Sequence, residues 1–543
     1  MNNINSINGN EIYQIMQDLC NFGYRRAGTE NAIRAEKYIY EKFKEIKGLE
    51  VEFEEFTFPR WNPVNYELCV IADKTPLVPR NQVIETVPYF LSGSTGPKGI
   101  MAEVVYVGNG ISHDFEDLDV ENKIVLIEGK MILNFHSTHH ETLFNSLKIA
   151  KDKGALGAIC INNSPEDSIS YLFFGSIFGW KKRLPALSVN NIDGYYLKTL
   201  CTKKNGKLTV KFLLDVKKEK GFSNFIIGTL PGKKDDVILI GTHIDSTFTG
   251  AIDNAGANAG LIVLAKYFAR VPLEKRKKTL VFVGWTGHEL GLIGVNKFVK
   301  MHQDYLNKIS TFIMLDGFAS KGYYNQADGA VVETGMDEKR GLFISDNPVL
   351  IPHVLDAVLK YKLLPAAYVS AKQLPVSDLS PFILSNVPSI MIIGKPIYYH
   401  TKYDTVEKCT PDQLERSAKA HAEIIEKILE IPSEKIKEAD GTLEDLSEFI
   451  EKKDGIIKPT VFFSVMPHPI PEKFAAAFFP TVFNCPESIT LKFDWDFGDG
   501  ATSSSIITRH SYEKAGTYEV IFTITDNYGN ISSSKQKIRV IKK

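Results

Sequence analysis

Residues 235–260 read DDVILIGTHIDSTFTGAIDNAGANAG. The first half is a short apolar run that closes on Thr242-His243-Ile244-Asp245; the second is a turn broken by Gly and Asn that leads into small residues. An apolar run of about four to eight residues bounded by turn signals reads as a strand buried on both faces, as in a parallel sheet covered by helices. A helix is expected to follow, from about residue 254 to 270. His243 and Asp245 then stand at the carboxyl edge of a sheet, which is where open α/β sheets gather their ligands.

The alternation continues beyond this unit. KTLVFVGW (278–285), TFIMLDG (311–317) and PSIMIIG (388–394) read as strands, with helices expected at about 291 to 306, around 350 to 361 and at 411 to 430. The fold class is therefore α/β, a mixed and mainly parallel central sheet sandwiched by helices. Upstream, residues 11 to 47 have helical periodicity, with Thr29 as N-cap ahead of Ala32, Ala35, Ile39, Phe43 and Ile46, and the strand LEVEFEEFTF follows. From about 68 to 219 the texture turns β-rich, with AEVVYVG, KIVLIEG and GALGAICINN, and reads as a module inserted into the α/β unit. Residues 433–457 are charged and Gly-interrupted, a linker. Residues 458–543 alternate polar and apolar positions in SITLKFDW and TYEVIFTITDN, with turns at FGDG and NYGN, and read as a β-sandwich.

Composition narrows the function classes. Across 543 residues, 64 Lys+Arg stand against 65 Asp+Glu, so no net field steers the chain onto nucleic acid or an anionic membrane surface. No window approaches the roughly 18 consecutive apolar residues of a membrane span, and the N-terminus lacks the basic and apolar regions of a signal peptide. Cys20, Cys69, Cys160, Cys201, Cys409 and Cys485 form no CxxC pair, so neither a disulfide framework nor a thiolate zinc site is expected. These features point to the cytoplasm; export by a route not visible in the sequence is the alternative.

Five strand ends close on a residue able to bind metal: His243 with Asp245, Asp253 in AIDNAG, Glu289 in GHEL, Asp316 in MLDG and His400 in YYHTKYDT. Singly, each has a structural explanation, an Asp capping a helix or a core histidine. Together, two His and four carboxylates on one sheet edge call for a cation, because like charges that close repel. Imidazole and carboxylate suit Zn²⁺ or a similar divalent metal.

The motifs HID, GAIDNAG, HELGLIG, MLDG, SDLSPF and YHTKYDT, in that order and spacing, resemble the di-zinc aminopeptidase family that includes glutamate carboxypeptidases and glutaminyl cyclases. The resemblance covers roughly residues 8–67 and 220–432, and the domain it implies is taken as residues 1–67 and 220–432. It implies two zinc ions, one held by His243 and Asp316, the other by Glu289 and His400, with Asp253 bridging them and Asp245 accepting a hydrogen bond from His243. It further implies a metal-dependent exopeptidase that cleaves N-terminal residues from a peptide substrate with a metal-bridging water. In that family a glutamate just before the metal-binding Glu takes the water proton. Here that position is His288, which is expected to act as base, neutral at pH 7 beside two dications. Two alternatives stay open: a pseudopeptidase that binds peptides without cleaving them, and acyl transfer of the glutaminyl-cyclase kind.

The inserted segment resembles a protease-associated domain through VENKIVLIEGK and LPALSVNNIDGYYL, and its FHSTHHET stretch groups His136, His139 and His140 in what reads as a polar surface loop. The C-terminal module resembles a PKD domain through WDFGDG and HSYEKAGTYEV, and is expected to bind a surface or another protein. Asp494, Asp496 and Asp499 lack the EF-hand ligand pattern and are read as turn formers.

Overall fold

The strands that position the candidate residues are, in chain order, β1 (Glu50–Val70), β2 (Thr209–Leu230), β3 (Val237–His243), β4 (Thr279–Trp285), β5 (Ile309–Leu315), β6 (Arg340–Ile344), β7 (Ala366–Ser370) and β8 (Ser389–Gly394). The computed structural model describes residues 3–542 apart from 129–144, 163, 172–181, 204–205, 326–330, 373–375, 395–396, 444–459, 467–468, 484–490, 506–507 and 527–529. His136, His139 and His140 lie outside the described residues.

These strands hydrogen-bond in the order β7-β6-β8-β5-β3-β4-β2. β3 runs parallel to both β4 and β5, and β5 runs parallel to β8. β6 and β2 enter antiparallel, so the sheet is mixed and mainly parallel, as expected. Every residue of β3 and β5 is buried, because helices cover both faces of the sheet, and the residues are accordingly mostly apolar.

The main helices packed on this sheet are α1 (Gly9–Cys20), α2 (Glu30–Lys44), α3 (Gly256–Ala269), α4 (Ile293–Met301), α5 (Ile351–Lys360) and α6 (Pro411–Glu430). α2 begins at Thr29, whose hydroxyl accepts from Ala32 N at 3.4 Å. α6 opens with Pro411 in its first turn and a reciprocal cap between Thr410 and Gln413, which sets its start at the expected residue. The helix expected from 291 to 306 ends instead at Met301, and a separate turn, Gln303–Leu306, follows the non-helical backbone of His302.

β1 and β2 pair antiparallel along their whole length, from Glu50↔Thr229 to Val70↔Val210. At one end β2 pairs with β4; at the other it pairs with the strand Ile100–Tyr106, from which the insert's strands Ile124–Ile127, Gly157–Ile161 and Ala186–Val189 continue. The change of texture near residues 68 and 219 therefore falls within two strands that serve both modules. Among the described residues, no helix is long and apolar enough to cross a membrane.

The C-terminal module has two sheets, one built on Thr460–Met466 and Ala476–Phe483, the other on Leu491–Asp496, Gly516–Asp526 and Ile531–Ile541. Trp495, Phe522, Tyr512 and Phe478 fill a core of their own. Its acidic loop forms turns: Asp496 accepts from Gly498 N at 2.9 Å, and Asp499 accepts from Ala501 N at 3.1 Å.

Candidate metal centre

The five strand-end residues meet in one place. His243 is the last residue of β3, Asp316 follows β5, Glu289 lies in the turn after β4, and His400 lies in the loop after β8. Asp253 sits in the turn from β3 into α3, where Gly250 takes φ +53°. A β-carbon there would come within 2.3 Å of the Asp253 carbonyl oxygen, so the turn admits only glycine. All five are at most 5% exposed.

Their arrangement is two-sided about Asp253. One carboxylate oxygen, Oδ1, lies 3.1 Å from His243 Nε2, and the other, Oδ2, lies 3.1 Å from His400 Nε2. Asp316 stands on the His243 side, 3.7 Å from the same nitrogen, and Glu289 on the His400 side at 3.2 Å. His243 Nε2, Asp253 Oδ2 and both oxygens of Glu289 are buried without a hydrogen-bond partner of proper geometry. Orphaned polar atoms of this kind are rare inside proteins, and convergent imidazole and carboxylate donors are what two divalent cations require. The residues fit the zinc pair that the sequence implies.

Surrounding groups fix the donors. His243 Nδ1 donates to the main-chain carbonyl of Asp245 at 2.9 Å; the Asp245 carboxylate is 3.7 Å away. The expected carboxylate partner is thus replaced by a carbonyl, because the Asp245 side chain turns instead to accept from His288 N at 3.2 Å and Glu289 N at 3.1 Å, shaping the turn that presents Glu289. Asp404 does the same for Asp253, accepting from Ile252 N at 2.8 Å and Asp253 N at 3.1 Å. Ser377 donates to Asp316 at 2.9 Å. The buried Arg25 guanidinium donates to the carbonyls of Leu19, Ile244, Thr249 and Gly250, clamping the loop after β3.

Burial opposes charge on every group, but the pairings override it at the centre. His243 is held well above its ordinary pKa by Asp245, Asp253 and Asp316, and His400 is pushed up to about 10 by Glu289 and Asp253. Asp253, caught between two imidazoles, is driven well below the usual carboxylate range despite its burial. Burial raises Asp404 to about 7.

His288 lies beside this group, its ring stacked on His243 with centroids 4.0 Å apart. Its Nδ1 is 3.0 Å from Asp378 Oδ1, and Trp285 Nε1 donates to the other Asp378 oxygen at 2.6 Å. Burial and the neighbouring His243 oppose protonation of His288, yet Asp378 and Glu289 hold its pKa at about 9. The neutral imidazole expected at pH 7 needs cations among those carboxylates to restore it.

Asp378 and Asp404 fall within the motifs SDLSPF and YHTKYDT without a role that the sequence assigns, and Arg25 stands outside every motif. The first two could be found as acids in motifs already singled out. Arg25 carries no such signal.

Residues 225–425 match peptidase family M28, and residues 473–541 match the PKD domain. Leucine aminopeptidase 2 of Trichophyton rubrum is 28% identical over 242 residues, 44% of this chain and 45% of that protein, so the chain aligns with under half the length of this relative. Among solved structures, BSAP, a zinc aminopeptidase from Bacillus subtilis, superposes with a TM-score of 0.60 at 20% identity, covering 79% of this chain and 98% of its own. A peptidase M28 precursor from Shewanella amazonensis gives 0.61 at 21% identity, covering 77% and 92%. At these identities the structural likeness is one of fold.

Proposed function

We propose, from the premise that residues 225–425 are a peptidase family M28 domain and residues 473–541 a PKD domain, that this chain is a metal-dependent aminopeptidase hydrolysing the N-terminal bond of peptides. The observation that carries the reading is the placement of Asp253, whose two oxygens each lie 3.1 Å from a different buried imidazole. A carboxylate so placed is the natural bridge between two cations, which would otherwise repel each other. When bound, two zinc ions held by His243 and Asp316, by Glu289 and His400, and jointly by Asp253 would polarise the scissile carbonyl and acidify a water molecule.

The protein's own groups do the rest. Asp378, at 3.0 Å, engages Nδ1 of His288 and leaves Nε2 to take a proton from the attacking water. The water oxygen joins the carbonyl carbon, the C–N bond breaks, and the proton passes from His288 to the departing amine. With two dications bound, the carboxylates of Asp253, Glu289 and Asp316 would offset three of the four positive charges, so a free α-amine would approach the centre as the uncharged donor. A second reading is favoured by one distance: a ring nitrogen of His288 lies within 4.8 Å of donor atoms of both His243 and Asp316, close enough for His288 to be an additional metal ligand.

The proposal is tested with a peptide pair differing only in N-acetylation, assayed before and after dialysis against a chelator. Release of the N-terminal residue from the free peptide alone, lost on chelation and restored by zinc, is the expected result. Equal cleavage of both peptides, or activity that survives chelation, would remove the aminopeptidase reading. The insert supports a further part of the proposal, that it is a protease-associated domain bordering the cleft, and the PKD domain is read as a module that binds a surface or another protein.

A further inference from the structure

The loop that carries His400 is gripped by a segment of the insert. Tyr171 N donates to His400 O at 2.9 Å, and His400 Nδ1 donates to Tyr171 O at 3.1 Å, so one residue 229 positions away holds both backbone and ring. His400 has φ +60°, in the left-handed region that a β-carbon disfavours, so the local sequence does not select its conformation. Neighbouring contacts extend the grip. Ser170 Oγ donates to Tyr399 O at 3.3 Å, Tyr398 Oη donates to Glu166 at 3.4 Å, and Asp167 receives the Tyr403 hydroxyl and lies 3.4 Å from Lys402 Nζ.

Beneath this strap, residues 164–171, lies the buried side chain of Asn162, 2% exposed. Its Nδ2 donates to Ser170 O at 2.8 Å; its Oδ1 accepts from Ser164 N at 3.1 Å, Ser170 N at 3.2 Å and the Ser164 hydroxyl. One amide therefore ties both ends of the strap together, and only an amide supplies donor and acceptor at once.

We infer that Asn162 is a positioning residue for the metal centre. It holds the strap in the shape that lets the Tyr171 carbonyl fix the His400 ring. A carbonyl only accepts, so it selects the tautomer with hydrogen on Nδ1 and leaves Nε2 unprotonated, its lone pair facing the Glu289 side and free to bind a cation. The insert thereby supplies the Nδ1 partner on the His400 half of the centre, while His243 takes its Nδ1 partner from its own loop, at Asp245. The inference rests on reading the centre as a two-cation site.

The test is zinc titration of the chelator-treated full chain against a chromophoric competitor, for wild type, Asn162→Ala, Asn162→Asp and Glu128→Gln. Glu128 bonds Tyr195 and Lys198 elsewhere in the insert and serves as a control for its general stability. The Asp variant keeps the acceptor and loses the donor to Ser170 O, which guards against loss of fold in the Ala variant.

Expected are two zinc equivalents for wild type and Glu128→Gln. In both Asn162 variants one equivalent should bind about ten- to a hundredfold more weakly while the other is unchanged. Amide hydrogen exchange at residues 399–401 of the Asn162 variants should rise even without zinc. Wild-type affinity for both equivalents, equal weakening of both, or the same loss in Glu128→Gln overturns the role of Asn162. A wild type that takes up fewer than two equivalents fails differently, removing the two-cation reading on which the inference rests.

Discussion

His243 and His400 bring the same imidazole to the same carboxylate from opposite kinds of backbone. His243 ends a strand whose every residue is buried, and its Nδ1 partner is the carbonyl of Asp245, two residues on. His400 stands in a loop, in the left-handed region, and its Nδ1 partner comes from the insert. One half of the centre is built by local chain geometry and the sheet; the other is assembled by docking of distant segments. A symmetric-looking site can thus have one half whose histidine is fixed by its own loop and another whose histidine is fixed by a second module.

Substitution at the shared point should have the largest effect. Asp253→Asn removes the charge both halves use and should abolish binding of most of both ions, with activity falling at least about a thousandfold, equivalent to several kcal/mol. Elemental analysis reads the first and aminopeptidase rates the second. Full occupancy in this variant would show that the two halves share nothing at Asp253.

The halves themselves are separated by His243→Ala and His400→Ala. Each should lose one of the two ions and keep the other, and only the His400 variant should also loosen the strap at 164–171, seen as faster amide exchange there. If each single variant loses both ions, the comparison breaks, because the halves are then one cooperative unit.

His288 sits on the His243 half, and its replacement by Ala should lower kcat by about a hundredfold or more with metal content unchanged. His288→Glu should retain activity, since a carboxylate there can also accept the proton. Loss of an ion in His288→Ala would instead identify this histidine as a ligand of the His243 side.

A third buried imidazole sharpens the contrast. His421 on α6 donates to Ser417 O at 2.8 Å and stacks on Phe318 with centroids 5.1 Å apart, and no carboxylate adjoins it in these contacts. Burial, helped by Arg340, drops its pKa to about 4, whereas His400, equally buried, rises to about 10 beside Glu289 and Asp253. Between pH about 6.5 and 4 the unfolded chain binds a proton at this residue that the folded chain excludes. Stability should therefore fall as pH drops through that window, by on the order of 2–3 kcal/mol from this group. Denaturant melts at both pH values should show a shallower acid loss for His421→Leu, and an unchanged loss would exclude His421 as its source.

The smallest effect is expected from truncation after residue 457. The C-terminal sandwich has its own core around Trp495, so activity on small aminoacyl substrates should stay within about twofold of the full chain. An insoluble or inactive product would join that module to the α/β unit.

How much was legible follows from the range over which each feature is encoded. The strands at 237–243, 279–285 and 309–315 announce themselves through continuous apolar runs, and α6 through its Thr410-Pro411 cap, because burial on two faces and capping are short-range demands on neighbouring residues. His243, Asp253, Glu289, Asp316 and His400 were readable for the same reason: each lies at, or in the loop beyond, the carboxyl end of one of four strands that the parallel topology brings to one edge. By itself the sequence thus determined the fold class and the candidate donors. Their pairing was decided in three dimensions. That Asp253 faces two imidazoles, that Asp378 meets His288, that Asp245 offers its carbonyl rather than its carboxylate, and that Asn162 and Tyr171 hold His400 all depend on contacts formed between distant segments or by main-chain atoms. A main-chain carbonyl has the same identity in every residue, so no reading of side chains finds it. Only the assembled sheet and the docked insert supply the distances that turn a list of donors into a site.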